Sequence, residues 1–223
     1  MKLKRIVIVG AGLHAEYCIA VIERSMKHDI VGLVDSKKEL GTNFLGYPLL
    51  GRQEQLELYQ KEYDIDGYFI AIGDNWERHQ VYIQTQKLVP DLELINAIHP
   101  SAIVDERTCL GRGLFIAAGV VISPGCNIGD GCLLGNGVKL GQQNELGGFS
   151  SVSVGSVTGG KVKLGEKTAI TMGVTVVDRL SVGSNTVVGA GSTVLNGLPD
   201  NVLAYGNPAR VVRKRQLGER FLG

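Results

Sequence analysis

A glycine-rich turn near the start of the chain has the residue types and spacing that hold phosphate. The turn Gly10-Ala-Gly12-Leu-His14-Ala15 follows an apolar run and has the form G-x-G-x-x-A. In this pattern the glycines let the backbone approach a pyrophosphate, and the first amides of the next helix donate hydrogen bonds to it. Asp35 follows the second apolar run, where such folds carry a carboxylate for a ribose hydroxyl. The spacing therefore predicts a nucleotide site.

Alternating strands and helices must position this turn. Apolar runs at 5–9, 30–34 and 67–72 alternate with helical patterns at 13–27, 53–63 and 76–88. Such alternation is typical of βαβ units and a parallel sheet. The segment leaves room for only three or four strands, about half of a full dinucleotide fold. We therefore expect a Rossmann-like βαβαβ domain over residues 1–97 that holds a mononucleotide portion rather than a nicotinamide cofactor.

A six-residue repeat follows this segment. From residue 98 to residue 199 the chain divides into seventeen consecutive units with no insertion. Their first position is always Ile, Leu or Val except at Thr158, and their fifth position is usually small or β-branched. Hexapeptide repetition predicts a parallel β-helix, in which stacked repeats complete a core that no single repeat can bury. Glycine fills the second position of nine units, and we expect it to supply positive φ at the corners.

The period also predicts which side chains become neighbours. Three units make one triangular turn, so residues eighteen apart should lie in one column on adjacent coils, about 4.8 Å apart. We assign residues 98–199 to an all-β domain and residues 200–223 to a C-terminal tail.

Composition excludes several classes of function. The chain has 223 residues, with 23 Lys and Arg against 22 Asp and Glu, so no charge excess indicates a nucleic-acid partner. It contains no apolar run of eighteen residues, and its first strand begins directly without a signal peptide, so we expect a cytoplasmic protein without a membrane span. The four cysteines lack CxxC spacing. They indicate core packing and not a metal site.

The repeats resemble the left-handed parallel β-helix of the hexapeptide-repeat acyltransferases. With the first domain included, the whole chain is similar to the bacterial nucleotide-sugar acetyltransferases that make bacillosamine, perosamine and sialic-acid derivatives. The matching segments are VGAGLHA at 9–15, LVDS at 33–36, AIGDN at 71–75 with Arg78, IHPS at 98–101 and YGNPAR at 205–210.

This resemblance implies a substrate, a co-substrate and an assembly. It implies a nucleotide sugar bound by the first domain, acetyl-CoA or another acyl-CoA as donor, and a homotrimer with active sites between neighbouring prisms. It also implies a role in the synthesis of lipopolysaccharide or another surface glycan. The residues implied for the nucleotide sugar are Gly10, Ala11, Gly12, His14, Asp35, Ser36, Gly73 and Asn75.

The chain departs from the family at its general base. The resemblance implies a histidine at the position that Gln142 occupies, and a second histidine, near the acyl-CoA thioester, at Ser151. The chain has no histidine after His99. Glutamine cannot accept a proton at neutral pH, so an active enzyme needs a different mechanism.

Three explanations remain open. The acceptor can be an amine, which is partly neutral near pH 7 when its pKa is about 8 and attacks a thioester without a base. Glu145 or a nearby carboxylate can act as the base. The protein can also have lost catalysis and kept nucleotide-sugar binding. An O-acetyltransferase of the sialic-acid type is a further alternative, which the missing base disfavours because a hydroxyl is a weaker nucleophile. We favour an N-acyltransferase acting on a nucleotide-linked amino sugar.

The site for the acyl-CoA donor matches the family better than the general-base position does. The resemblance places the backbone amide of Gly160, eighteen residues after Gln142, against the thioester carbonyl, where it would stabilise the developing oxyanion. Ser151, Ala169, Met172 and Gly173 are expected to continue the groove for acyl-CoA.

Overall fold

A computed structural model describes residues 3–37 and 41–221. In chain order the first domain contains β1 (Lys4–Val9), α1 (Leu13–Ser25), β2 (His28–Val34), β3 (Asn43–Phe44), β4 (Tyr47–Gly51), α2 (Leu56–Glu62), β5 (Gly67–Ile70), α3 (Asn75–Leu88) and β6 (Glu93–Leu94). A short 3-10 turn (Gln53–Gln55) precedes α2. The strands form one sheet in the order β3-β4-β2-β1-β5-β6, parallel except for the β3–β4 pair. The predicted strands and helices are therefore confirmed.

The estimate of three or four strands is wrong, because the sheet has six. The missed strands are the hairpin β3–β4 and the two-residue β6. The two-residue strands β3 and β6 are too short to show a period of two. The five-residue β4 contains Pro48, which argues against a strand in sequence-based interpretation.

The repeats form a three-sided parallel β-helix, as predicted. Seventeen two-residue strands recur every six residues, from β7 (Ala97–Ile98) to β23 (Thr193–Val194). The first face contains β7, β10 (Phe115–Ile116), β13 (Leu133–Leu134), β16 (Ser151–Val152), β19 (Ala169–Ile170) and β22 (Val187–Val188). The second face contains β8 (Ile103–Val104), β11 (Val121–Ile122), β14 (Lys139–Leu140), β17 (Val157–Thr158), β20 (Thr175–Val176) and β23. The third face contains β9 (Cys109–Leu110), β12 (Asn127–Ile128), β15 (Glu145–Leu146), β18 (Lys163–Leu164) and β21 (Ser181–Val182).

Three corners separate these faces. We call the corner that follows the first face the first corner (for example 135–138), the corner after the second face the second corner (141–144), and the corner after the third face the third corner (147–150). Because the cross-section is a triangle, the second corner lies opposite the first face.

Positive φ occurs at the fourth position of the units and not at the second, which corrects the expectation from sequence. Gln143 (φ 56°) and Gly155 (φ 70°) are two such residues. The second-position glycines have another cause, which is the close approach of the next coil. A Cβ at Gly141 would lie 2.4 Å from the carbonyl of Gly159. Glycine is thus required there for space and not for backbone freedom.

The first domain packs against the first face and the third corner. Arg78 of α3 is buried in this joint and uses all five of its N–H donors. They reach the carbonyls of Gly131 and Phe149 in the β-helix, the carbonyls of Ile72 and Gly73, and the side-chain oxygen of Asn75, at 2.8–3.1 Å. Burial lowers the pKa of Arg78 to about 10, so the guanidinium keeps its charge at neutral pH. The two domains are therefore fixed relative to each other at this point.

The chain leaves the repeat after β23 and returns to the first domain. The strand β24 (Val202–Gly206) pairs in parallel with β22, and β25 (Ala209–Lys214) pairs with it in antiparallel fashion after a cis Asn207–Pro208 bond. Residues 215–221, which we call the tail segment, then reach the N-terminus of α3. Within the described ranges no helix is long and apolar enough to cross a membrane.

Candidate functional site

The glycine turn, the end of β2 and the loop after β5 enclose a cavity of about 360 Å³. We call it the nucleotide cavity, after the ligand that the sequence predicts there. Of the eight residues expected to bind the nucleotide sugar, seven line it: Gly10, Ala11, Gly12, His14, Asp35, Ser36 and Gly73. The cavity lies at the carboxyl ends of the parallel strands β1, β2 and β5, where open α/β sheets bind their ligands. Gly12 caps α1 without a side-chain hydrogen bond. The first amides of α1 can therefore donate hydrogen bonds to an anion.

Asp35 holds the shape of this cavity. One of its carboxylate oxygens accepts from the amide of Ala11 at 2.7 Å, and the other accepts from the amide of Lys37 at 2.7 Å. Because the Ala11 amide is engaged by Asp35, the carboxylate also sets the position of the glycine turn.

Asn75 does not line the nucleotide cavity, and its role in binding the nucleotide sugar stays a prediction. Its Nδ2 lies 3.1 Å from the Ser151 hydroxyl and 3.0 Å from the carbonyl of Thr168, both in the β-helix. Its Oδ1 accepts from Arg78 at 2.8 Å. With both ends of its amide occupied inside the joint, Asn75 connects the two domains.

His14 borders three cavities in succession. It lines the nucleotide cavity, an open cavity of about 780 Å³ beside Tyr17, and a small one of about 170 Å³ that reaches Ser151 on the first face. Its ring lies edge-on to Phe115 with centroids 5.3 Å apart, and its Nε2 is buried without a hydrogen-bond partner. Burial, helped by the nearby charge of Arg78, lowers the pKa of His14 to about 4. A neutral imidazole therefore stands on the path from the nucleotide cavity to the prism.

Gln142 lies on the second corner, opposite the face that carries the first domain. Its exposed side chain extends over Gly160 on the next coil, as the eighteen-residue column predicts. A Cβ built on Gly160 would lie 2.7 Å from the Gln142 Nε2. Glycine at 160 is thus a condition for the present position of the glutamine side chain.

Two departures from the repeat pattern meet beneath this corner. Asn144 occupies an inward fifth position, and Thr158 is the one first-position residue that is not aliphatic. Both are buried, and the Asn144 Nδ2 lies 2.8 Å from the Thr158 hydroxyl and 2.7 Å from the carbonyl of Gly141. Its Oδ1 accepts from the amide of Val162 at 2.7 Å. The pair therefore ties the corner that carries Gln142 to the coil below it.

The Gly160 amide is not free in this structure, which differs from the expected oxyanion donor. It donates to Oδ1 of Asp178, one coil further on, at 2.6 Å. Asp130 and Asp200 accept in the same way from the amides of Arg112 and Ser184, at 2.8 and 2.7 Å. In all three cases an aspartate one coil further on accepts from an amide of the preceding coil. Asp178 must release the Gly160 amide before that amide can bind a thioester carbonyl.

Glu145 lies on the third face and not on the corner. Its carboxylate is 2.9 Å from the ammonium of Lys163, eighteen residues further along, and both side chains are exposed. The group is therefore an ion-paired surface residue close in sequence to Gln142.

The remaining residues predicted for acyl-CoA separate into two groups. Met172 and Gly173 are exposed at the first corner, where a groove can form. Ala169 is fully buried, and Ser151 is buried against Asn75. The side chain of Ala169 is thus not exposed to a ligand here, and its role in binding acyl-CoA stays a prediction.

Sequence reasoning missed several residues around the nucleotide cavity, and four of them bear on ligand binding. Lys37 and Glu77 line it, and Arg220 and Phe221 of the tail segment line the adjoining cavities. No sequence motif identifies the two tail residues. They are far from α3 in sequence and reach it only through tertiary folding. In the described part of the chain, no group of His, Cys, Asp or Glu is arranged to hold a metal ion.

Comparisons with known proteins agree with this architecture. A family profile described as the PglD N-terminal domain matches residues 5–85. PerB from Caulobacter crescentus, solved with CoA and GDP-perosamine, is 32% identical, with a TM-score of 0.88 over 95% of this chain and 99% of that one. The acetyltransferase domain of PglB from Neisseria gonorrhoeae is 25% identical, with a TM-score of 0.85 over 94% and 100%. WeeI from Acinetobacter baumannii, at 16% identity and a TM-score of 0.63 over 94% and 100%, shares the fold. Among curated proteins no significant match was found.

Proposed function

Because the chain belongs to the family of nucleotide-sugar acyltransferases built on a hexapeptide-repeat β-helix, we propose that it acylates the amino group of a nucleotide-linked amino sugar. The observation that carries this proposal is the nucleotide cavity, which seven of the eight predicted residues line. It is supported by PerB, which was solved with CoA and GDP-perosamine. The donor is acetyl-CoA or another acyl-CoA, and the reaction takes place in the cytoplasm as a step of surface-glycan synthesis.

The proposed mechanism uses no general base. Gln142 stands where the family carries a histidine, and its amide can accept a hydrogen bond from the attacking nitrogen but cannot take its proton. A neutral amine attacks the thioester carbonyl, and a C–N bond forms as the tetrahedral intermediate develops. The C–S bond then breaks, and the departing CoA thiolate receives the proton released by nitrogen. An amine with a pKa near 8 is sufficiently neutral at pH 7 for this route.

The geometry also supports a shared active site in a trimer. Within one chain the nucleotide cavity and Gln142 lie on opposite sides of the prism, so one chain cannot bring its bound sugar to its own Gln142. The second face presents Ile103 and Val157, which are 66% and 38% exposed, whereas the third face carries the Glu145–Lys163 pair. We infer that three second faces gather around a common axis. The second corner of one protomer then meets the first corner of its neighbour, beside Met172.

Activity is tested by thioester consumption. Purified protein is mixed with acetyl-CoA and GDP-perosamine, and with the corresponding GDP-linked sugar that carries a hydroxyl in place of the amine. We expect consumption with the amine alone, and a product that resists mild alkali as an amide does. The Gln142→Ala variant should turn over at nearly the wild-type rate. If no thioester is consumed with any of a panel of amino-sugar nucleotides, the protein binds nucleotide sugars without catalysis.

The shared site is tested by complementation. Gly12→Asp places a negative charge in the nucleotide cavity of one chain, and Gly160→Arg blocks the second corner of another. Each variant alone should be inactive. When the two are unfolded, mixed and refolded together, about a quarter of the sites should combine an intact cavity with an intact corner. Lack of any recovered activity, or a monomer mass by light scattering, would contradict the trimeric site.

A further inference from the structure

Three charged side chains meet at the mouth of the nucleotide cavity. Glu77, in the first turn of α3, lies 3.5 Å from the ammonium of Lys37 and 3.5 Å from the guanidinium of Arg220. Lys37 and Glu77 line the nucleotide cavity, and Arg220 lines the adjoining cavity together with His14. Two cations are therefore held beside the predicted position of the diphosphate by a single carboxylate.

Arg220 reaches this place because the tail segment is anchored at both ends. At one end the buried Arg215 donates to the carbonyl of Asn185 at 3.2 Å, and its backbone amide donates to the carbonyl of Asn201 at 2.8 Å. At the other end the amide of Phe221 lies 3.4 Å from the carboxylate of Asp74, which also caps α3. The tail segment thus passes from the last coils of the β-helix to the entrance of the nucleotide cavity.

Phe221 continues this wall toward the prism. It lines the small cavity of about 170 Å³ together with His14, Ser151 and Val154. That cavity joins the region of the nucleotide site to the first corner. Phe221 therefore lies between the nucleotide cavity and the first corner.

We propose that the tail segment is a strap over the nucleotide site, and that a bound nucleoside diphosphate replaces Glu77 as the partner of Arg220 and Lys37. This inference rests on the proposed nucleotide-sugar function. The three side chains carry one net positive charge while paired, and a diphosphate offers more negative charge and more acceptor oxygens than one carboxylate. Glu77 holds the cations in place until the ligand arrives, and Phe221 contacts the sugar that follows the diphosphate.

The exchange of partners predicts effects of opposite sign at two residues. Arg220→Ala removes a cation that the ligand needs, so the dissociation constant for a nucleoside diphosphate should rise by about fivefold. Glu77→Gln removes the competing anion, so the same constant should fall. Glu77 is exchanged for an isostere, and its backbone amide keeps its bond to the Asp74 cap. A merely structural ion-pair cluster would weaken binding in both variants.

The single tryptophan of the chain, Trp76, gives a direct readout. It lies beside Gly218 of the tail segment, where a Cβ would be 3.3 Å from the indole nitrogen. Tryptophan fluorescence is titrated with GDP, UDP and dTDP, and then with the monophosphate of the base that binds best. Arg220→Ala should affect the diphosphate more than the monophosphate. Phe221→Ala should weaken binding of the nucleotide sugar but leave the nucleoside diphosphate unchanged.

The matched control is Arg24→Ala, which removes an exposed arginine from the last turn of α1, and it should bind like the wild type. Equal diphosphate affinity in wild type and Arg220→Ala, or weaker binding by Glu77→Gln, would overturn the strap while leaving the proposed function intact. A wild-type protein that binds none of the three nucleotides would overturn both.

Discussion

The amide of Asn144 and the hydroxyl of Thr158 form a hydrogen bond of 2.8 Å inside the β-helix, beneath the corner that carries Gln142. Each residue breaks the repeat pattern by itself, and together they satisfy each other. A buried polar group without a partner is costly, whereas a matched pair costs little. The two exceptions in the sequence are therefore one structural feature.

The Asn144–Thr158 pair predicts a non-additive stability change. Asn144→Val should lower the free energy of unfolding by about 2–3 kcal/mol, because the Thr158 hydroxyl and the Val162 amide lose their partner. Adding Thr158→Val should restore part of that loss, since an apolar pair leaves no hydroxyl unsatisfied. Urea unfolding of both single variants and the double variant gives the coupling energy. Strictly additive changes would show that the two side chains act independently.

A second prediction concerns the contact between Gly160 and Gln142. Gly160→Ala should move the Gln142 side chain, because the new methyl group would lie 2.7 Å from its Nε2. A glutamine end can move at little cost, so stability should be nearly unchanged. We still expect turnover to change, because the methyl group lies beside the Gly160 amide that is proposed to bind the thioester carbonyl.

Gly148→Ala is the control for Gly160→Ala, since it alters the same position of another unit, where the nearest atom to a Cβ is 3.5 Å away. Steady-state kinetics with acetyl-CoA and thermal unfolding of both variants provide the measurement. Equal kinetic effects of the two substitutions would mean that the second corner is not part of the site.

Glu145→Gln tests the remaining candidate for a base. In the base-free mechanism this change removes only an exposed ion pair with Lys163. Such a pair is worth about 0.2–1 kcal/mol, so turnover should stay within about twofold and stability should fall slightly. A general base contributes about 100-fold or more. A loss of that size at pH 7 would assign the base to Glu145, and full kinetics over pH 6–9 separates the two cases.

His14 predicts that stability falls on mild acidification. Its pKa is about 4 in the folded protein because burial and the charge of Arg78 disfavour the imidazolium, against an ordinary value of 6.5. Between these values the unfolded chain binds a proton that the folded chain does not, so stability decreases as the pH falls from about 6.5 to about 4. The full effect is on the order of 3 kcal/mol.

Urea unfolding of wild type and His14→Asn at pH 7, 6, 5 and 4 measures this dependence. The asparagine variant does not titrate in this range, so the difference in unfolding free energy between the two proteins should shrink as the pH falls. A difference that stays constant across the four pH values would contradict a buried neutral His14.

The hexapeptide period by itself determined the β-helix and the order of its columns. A unit of six residues with one aliphatic and one small inward side chain can bury its core only by stacking, so Gln142 and Gly160 had to be neighbours. The glycine turn and Asp35 likewise specified the nucleotide cavity, because local backbone geometry fixes their relation to α1. These features depend on contacts close in sequence or repeated at a constant interval.

Tertiary structure alone decided what the remaining polar groups contact. The sequence predicts Asn75 as a substrate-binding residue. Because α3 packs on the first face, the Asn75 amide donates hydrogen bonds to the β-helix. The Gly160 amide looked free, but the next coil supplied Asp178. The sequence does not single out Arg220, which pairs with Glu77 only because the tail segment folds back to α3. A hydrogen bond depends on which acceptor folding brings within reach, and that is set by the packing of distant segments and not by the local pattern.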